Sequence, residues 1–359
     1  MTATATPTTT PAAPDVDVDI AIEVRADRPV RRSRRRQRIG LALALAVPFL
    51  CSVQLSEFAN TVMVQIAIAI LTVAGLHVLV HWAGQISLAQ VALMGVGAFV
   101  TARANADFSV PLPLAVILGM AGAVIASLAI GLPALRIRGL ALAITTLAFA
   151  FAASRWLFVQ PWLVPQVSGI PLRDRTLFGF DIAQSRELII PVGVVCVAVV
   201  ALTHRLGSGT IGRSLRMVAH DEEVASAYGI SVPAHKLLAF CYAAACAGLA
   251  GAFTVISIGR VGPPAFPVNR AVLYLSAVLL GGPGPVFASL RAAAGFAAFP
   301  VLFRGLGRFI DLIGPLAILA VVIASPAGLN GLDRSLHDAV SRRRRHRKVA
   351  RTDPQGGTS

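Results

Sequence analysis

A cluster of charged residues interrupts an otherwise apolar sequence at "HDEEVASAYGI", residues 220–230. It places three consecutive carboxylates next to a histidine, in a chain whose residues are 14% charged and 56% hydrophobic. Carboxylates at the start of a helix accept hydrogen bonds from its free amide groups and interact favourably with the positive end of the helix dipole. The cluster therefore indicates a structured polar segment, with its charges available for contact with another protein.

The residues around the cluster predict where a short helix begins and ends. Asp221 is a good N-cap, and Glu222 and Glu223 place negative charge in the first turn. Gly229 can adopt the left-handed conformation that commonly ends a helix. The spacing predicts a helix of about two turns between these two signals.

A second short helix is predicted directly before the cluster, in "TIGRSLRMVA" at residues 210–219. Its Arg213 and Arg216 are three residues apart and share one face. Two short charged helices are too polar to enter a membrane and too short to be stable alone. They are typical of a docking site for a partner, and the small or apolar residues Ala225, Ala227 and Tyr228 favour this interpretation over a solvated loop.

Known catalytic signatures are absent from the sequence. It contains no Walker A loop, no HExxH and no GxSxG motif, and its four cysteines form no CxxC pair. The apolar runs also lack the buried Asp, Glu or Lys of a proton relay. One charged residue, Arg291, falls within a predicted span, and it either snorkels to the membrane surface or precedes the span. The sequence therefore predicts a protein that is not an enzyme and needs no cofactor or metal.

The hydropathy predicts an all-α integral membrane protein. Mean hydropathy is +0.74 over 359 residues, and several apolar runs reach the roughly 20 residues that a membrane-spanning helix needs. We expect about ten transmembrane helices, within a range of 8 to 10, and a polar coupling segment of short helices. The predicted spans are 39–56, 59–80, 87–104, 111–132, 139–159, 187–203, 236–259, 270–283, 286–303 and 308–324.

The basic residues predict the orientation. The net charge of +15 comes largely from two terminal blocks, "RRSRRRQR" (31–38) and "RRRRHRK" (342–348), which are typical of cytoplasmic membrane anchors rather than of nucleic-acid binding. An even number of spans places both blocks in the cytoplasm. The chain then divides into a disordered Arg-rich tail (1–38), a transmembrane domain (39–326) and a basic tail (327–359), with residues 204–236 cytoplasmic and residues 160–186 forming an ordered external loop.

Uncharged polar residues within the apolar runs are candidates for a transport path. Gln85, Ser87 and Gln90 begin one span and Thr145 and Thr146 lie in another. At membrane depth such groups face protein or a water-filled cavity, so they either line a path or bond helix to helix, and threonines can bond to their own backbone. Glycines in "GVGAFVTA" (95–102) and "AGLAGAF" (247–253) predict close helix packing.

Several motifs, taken in order, resemble one transporter family. The segment "EVASAYG" (223–229) resembles the E-A-A-x-x-x-G loop through which permeases of ATP-binding cassette (ABC) importers contact their ATPases. The chain from about residue 60 to residue 332 resembles the LivM-type permease of branched-chain amino acid ABC transporters. The motifs are "GQISLAQVALMGVGAFVTA" (84–102), "LRIRGLALAITTLAF" (135–149), "RSLRMVAHDEEVASAYGISVPAHKLLAFCYAAACAGLAGAF" (213–253), "VLLGGPGPVFASLRAAAGFA" (278–297) and "SPAGLNGL" (325–332).

The resemblance implies a multi-pass permease of the plasma (inner) membrane. Its partners would be two cytoplasmic ATPase subunits, a second LivH-like permease and an extracytoplasmic binding protein, with no nucleic acid. It implies that the ATPase-coupling residues are Arg213, Arg216, Asp221, Glu222, Glu223, Ala225 and Gly229, and that Gln85, Ser87, Thr145 and Thr146 lie near the translocation path.

The sequence also departs from this family. "PWLVPQV" (161–167) stands where the family has a glycine-rich run, and "LGGPGPVFAS" (280–289) carries additional prolines. Urea or short amides are therefore the alternative substrates within the same family. A self-sufficient channel or secondary transporter and a structural membrane anchor are the alternatives from other classes; the first would need buried acidic residues, and the second leaves the polar residues of the spans unexplained.

Overall fold

The described part of the chain is mainly helical. A computed structural model describes residues 56–134, 139–164, 169–177, 180–182, 184–282, 289–295 and 297. The helices are α1 (Glu57–His77, continued by a π-helical turn, Val78–Trp82), α2 (Gln90–Ala106), α3 (Leu112–Ala134), α4 (Leu140–Arg155), α5 (Ser185–Ser208), α6 (Thr210–His220), α7 (Glu222–Ala227), α8 (Val232–Ile258) and α9 (Asn269–Gly281). The strands are β1 (Ile170–Pro171), β2 (Thr176–Leu177), β3 (Phe180–Asp181) and β4 (Arg260–Val261).

Six helical segments in the described residues are long and apolar enough to cross a membrane. They are Glu57–Trp82, Leu112–Pro133, Ala141–Val159, Ser185–Ser208, Val232–Ile258 and Pro263–Gly281. The 17-residue α2 is shorter and mostly buried. These seven elements correspond to seven of the predicted spans, which supports an all-α membrane protein. The predicted spans 39–56 and 308–324 and most of 286–303 lie outside the described residues, as do both predicted tails, so the total of 8 to 10 remains a prediction.

Glycine-mediated contacts join α2, α3 and α8. A Cβ atom at Gly97 would lie 2.5 Å from the Cα atom of Gly248, and one at Gly248 would lie 2.8 Å from the Cβ atom of Ala123. Small residues at such crossings let helix backbones approach closely, which drives packing when lipid provides no hydrophobic force. The predicted role of these glycines in close packing is confirmed.

The helices differ in how much of their surface the protein covers. In the 18-residue apolar stretch of each helix, 78% of the residues are buried in α1 and in α8, whereas 33% are buried in α3 and in α4. A helix that is apolar on all sides and still exposed is suited to lipid. The inner layer therefore includes α1 and α8, and outward faces of α3 and α4 are left for lipid or a partner.

Strand pairing and the side chain of Asn105 in α2 hold the segment that precedes α5. Strands β1 and β4 pair antiparallel, with Ile170 opposite Val261, and β2 pairs with β3 in a hairpin. The buried side chain of Asn105 accepts hydrogen bonds from the backbone amides of Arg173 (3.0 Å) and Asp174 (3.2 Å). Its amide group donates to the carbonyl oxygen of Val110 at 3.2 Å, so Asn105 joins the segment before α5 to the connection between α2 and α3.

Candidate functional site

The charged cluster and the segment directly before it fold as two short helices between α5 and α8. Both predicted helices are present, as α6 (Thr210–His220) and α7 (Glu222–Ala227). We call residues 209–230 the two-helix segment. It lies at the opposite end of α5 from the loop of strands β1 to β3, and α5 is about 36 Å long at the standard rise per residue.

The predicted start and end signals of α7 are both confirmed. The Oδ1 atom of Asp221 accepts hydrogen bonds from the backbone amides of Glu223 (2.8 Å) and Val224 (3.1 Å). At the other end Gly229 has a φ of +77°, and the amide of Ile230 donates to the carbonyl oxygen of Ala225 at 3.1 Å. These two signals hold α7 to six residues.

One side of α7 is exposed and the other is buried against the chain itself. Glu223 is exposed, as are Val224 (44%) and Tyr228 (75%). Ala225 is 0% exposed, so its expected contact with a partner's cleft does not fit the structure. A short helix lying on a bundle must bury one face, and Ala225 is on that face.

Glu222, the second carboxylate of the cluster, forms an ion pair within the chain. The Oε1 atom of Glu222 accepts a hydrogen bond from the Nζ atom of Lys236 at 2.6 Å, and Lys236 is only 5% exposed. Lys236 lies in the first turn and a half of α8, so the expectation that the spans contain no buried lysine is wrong at this residue. A buried ammonium group requires a paired anion, which Glu222 supplies.

The two arginines of α6 also contact their own chain. The guanidinium carbon of Arg216 lies 5.6 Å from the centre of the Trp82 ring, and its Nη2 atom donates to the carbonyl oxygen of Gly207 at 2.8 Å. Arg213 donates to the carbonyl oxygen of Ser208 at 3.3 Å. Both arginines are exposed, so they remain accessible to a partner while they hold α6.

The glutamines and the serine of the predicted path lie between α1 and α2. The irregular stretch 83–89 contains Gln85 and Ser87, both buried. The Oε1 atom of Gln85 has no hydrogen-bond partner among the described residues. Gln90 donates to the carbonyl oxygens of Thr72 (3.2 Å) and Ala243 (3.1 Å), so it joins α1 to α8. Gln90 therefore bonds helix to helix, whereas the side chain of Gln85 has an acceptor oxygen without a partner among the described residues.

The two threonines of α4 have different environments. Thr146 is buried, and its Oγ1 atom accepts a hydrogen bond from the backbone amide of Leu88 at 3.0 Å, which joins α4 to the irregular stretch. Thr145 is exposed and donates to the carbonyl oxygen of Ala141 at 2.8 Å. The structure thus brings Thr146 together with the irregular stretch that carries Gln85 and Ser87, and leaves Thr145 on another face.

Two histidines of α1 and its π-helical turn, buried His77 and half-buried His81, were not predicted as functional residues. The Nδ1 atom of His77 lies 2.8 Å from the Oγ atom of Ser289, and His81 bonds to the carbonyl oxygen of Val278 at 3.0 Å. The two rings are 4.9 Å apart. The spacing of four residues in "HVLVH" was the available signal, because it places both rings on one face of a helix within an apolar run.

Comparison with known families decides what these elements belong to. The family model described as the permease component of branched-chain amino acid transport systems matches residues 58–325, about three quarters of the chain. The chain belongs to this permease family. The permease contributes to an ABC importer as a membrane subunit and is not itself an enzyme; such systems also include ATPase and substrate-binding partners.

Two curated proteins are similar to the permease over most of their length. The high-affinity branched-chain amino acid transport system permease protein LivM of Salmonella typhimurium is 29% identical over 318 residues, covering 80% of this chain and 73% of that protein. The LivM protein of Escherichia coli is 28% identical with the same coverage. No solved structure matches the permease.

Proposed function

We propose that this permease moves branched-chain amino acids, or closely related small polar solutes, across the plasma membrane. The proposal rests on the family and on the relatives, whose names specify high-affinity branched-chain amino acid transport. We further propose that the working complex contains two cytoplasmic ATPase subunits, a second LivH-like permease and an extracytoplasmic binding protein. Both termini of the chain are then cytoplasmic.

The observation that carries the proposal is the construction of the two-helix segment. It is capped at Asp221 and turned at Gly229, and it presents the exposed side chains of Glu223, Val224 and Tyr228. An ordered, partly apolar, charged surface on a membrane protein is suited to a partner's cleft. In this proposal the ATPase subunit binds that surface, and its closure on ATP moves the segment.

The translocation path is proposed to run beside the irregular stretch 83–89. Buried polar groups at membrane depth are costly unless they are bonded or line a hydrated cavity. The Oε1 atom of Gln85, which has no hydrogen-bond partner in the part of the chain that the structure describes, supports this placement, and Ser87 and Thr146 lie on or against the same stretch. Thr145 is exposed, so in this proposal it contributes to the outer face of α4.

Uptake by the complete transporter tests the coupling assignment. A Glu223→Lys and Gly229→Trp double variant should reach the membrane in normal amount and lose uptake of labelled leucine, because the exposed surface is reversed in charge and its turn is disrupted. The matched control is Glu187→Lys, the same charge change at an exposed site at the other end of α5. The control should transport normally.

Three results would contradict the proposal. Full uptake by the double variant would remove the two-helix segment from coupling. Leucine flux through the reconstituted permease without ATPase subunits would indicate a self-sufficient channel or secondary transporter. Absence of leucine uptake by the complete wild-type transporter would exclude the substrate.

A further inference from the structure

The two-helix segment is attached to two different membrane-spanning helices. Helix α7 is joined to α8 through Glu222 and Lys236. Helix α6 is joined to the end of α1 through Arg216 and Trp82. Each attachment uses a charged group, and each ends on a residue that the family resemblance did not identify as functional.

The attachment to α8 has the properties of a rigid link. The Nζ atom of Lys236 and the Oε1 atom of Glu222 are 2.6 Å apart, and their side chains are 6% and 27% exposed. Burial reduces the screening that weakens surface ion pairs, and it raises the cost of separating the charges. A displacement of α7 would therefore be passed to α8 rather than absorbed by rotation of the lysine side chain.

The attachment to α1 is reinforced through the end of α5, which contains Gly207. Besides the cation–π contact of Arg216, the Trp82 ring packs against Gly207, where a Cβ atom would come within 2.5 Å of the ring. A Cβ atom at Gly212 of α6 would in turn lie 2.6 Å from the Cα atom of Gly207. Trp82 ends the π-helical turn of α1, a type of turn that is often found at functional sites.

We infer that Lys236 and Trp82 are positioning residues that transmit motion of the two-helix segment to α8 and α1. The inference rests on the proposed function of that segment as the ATPase contact. The two receiving helices are the two most buried of the spans in the described residues, and α1 leads directly into the irregular stretch that carries Gln85. Closure of the ATPase subunits would thus move the helices around the proposed path through both α1 and α8.

A purely stabilising ion pair and a transmitting one predict different results when both charges are removed. Replacement of a buried pair by apolar residues of similar size generally preserves stability. A Glu222→Met and Lys236→Met double variant should therefore fold, assemble with the ATPase subunits and hydrolyse ATP. If the pair transmits motion, leucine transported per ATP should nevertheless fall about tenfold, within the usual range of coupling between sites. A coupling ratio equal to that of the wild type would overturn the inference.

The link to α8 can also be tested without any substrate. Spin labels at exposed Ser226 of α7 and exposed Ile258 at the far end of α8 report the distance between these helices by pulsed electron paramagnetic resonance, in the complete complex with all four native cysteines replaced by alanine. The parent should show one narrow distance distribution and the double methionine variant a broader one. Equal widths would overturn the inference.

Matched variants separate the contacts from general damage. Lys236→Arg keeps the charge and should keep both the coupling ratio and the narrow distance distribution. Trp82→Phe keeps an aromatic face for Arg216 and should transport better than Trp82→Leu; equal coupling ratios in these two variants would overturn the role of Trp82. If the wild-type complex takes up no leucine, the proposed substrate fails, while the distance measurement still decides the role of Lys236.

Discussion

The three consecutive carboxylates at positions 221–223 have three different environments. Asp221 caps α7, Glu222 pairs with the buried Lys236, and Glu223 is exposed. Glu222 is paired within the chain, whereas Asp221 and Glu223 are both exposed, so substitutions at these neighbouring positions should have different consequences.

Substitution of Asp221 tests the cap. Asp221→Ala removes the acceptor for two amide groups and should cost about 1 kcal/mol of helix stability. Hydrogen exchange at residues 222–227 should become faster and leucine uptake should fall. Asp221→Asn keeps the acceptor without the charge and should behave like the wild type; an asparagine variant as impaired as the alanine variant would mean that the charge, and not the cap, matters.

Substitution of Gly229 tests the left-handed turn that ends α7. Its φ of +77° is unfavourable for other residues, whereas no atom of the described residues lies within 4 Å of the position that a Cβ would take. The cost of substitution is therefore conformational, about 1–2 kcal/mol for alanine. Affinity purification with the ATPase subunits should recover progressively less complex in the order Asn, Ala, Val at position 229. Equal recovery for valine and asparagine would contradict the prediction.

At the scale of elements, the packing of α2 against α8 depends on the absence of side chains. Gly97 and Gly248 allow these backbones to meet, and Gln90 adds a hydrogen bond from α2 to α8. Close contact and a polar bond together explain how helices of low amphipathicity choose a particular face.

Addition of one methyl group to this crossing should destabilise the protein. Gly97→Ala places a Cβ atom 2.5 Å from the backbone of Gly248, and overpacking of this kind costs about 1–3 kcal/mol. The Tm of the detergent-solubilised protein should fall by several degrees. The control is Gly295→Ala, at a helical site where no described atom lies within 4 Å of the added Cβ; its Tm should be unchanged or higher, because alanine favours helix. Similar losses in both variants would contradict the packing argument.

At the scale of the whole molecule, α5 separates two polar regions of different construction. The loop before it is held by strand pairs and by Asn105, and the two-helix segment follows it. The proposed orientation places the loop outside and the two-helix segment in the cytoplasm.

Labelling with a membrane-impermeant thiol reagent tests this orientation. A cysteine introduced by Arg173→Cys should be labelled in intact spheroplasts, and one introduced by Ser226→Cys only after the membrane is opened, since both positions are exposed on the protein. The native Cys196 and Cys246 are buried and should react slowly. Labelling of Ser226→Cys in intact spheroplasts would reverse the assigned topology.

Local signals in the sequence were sufficient for the membrane class, the seven matched helices and the caps of α7. Span length, capping at Asp221 and the left-handed turn at Gly229 depend on residues that are close together in the chain, and their physical chemistry is independent of the rest of the fold. Recognition of the family from its motifs likewise needed no coordinates, and the match to the family model confirmed the family.

The tertiary structure alone decided which side chains meet. It buried Ala225, separated Thr145 from Thr146, paired Glu222 with Lys236 and brought His77 to Ser289 across 212 residues. None of these contacts has a local signature, because each depends on how distant helices pack. The sequence by itself therefore determined what kind of protein this is and where α7 begins and ends, and the packing determined which residues join the two-helix segment to the membrane spans.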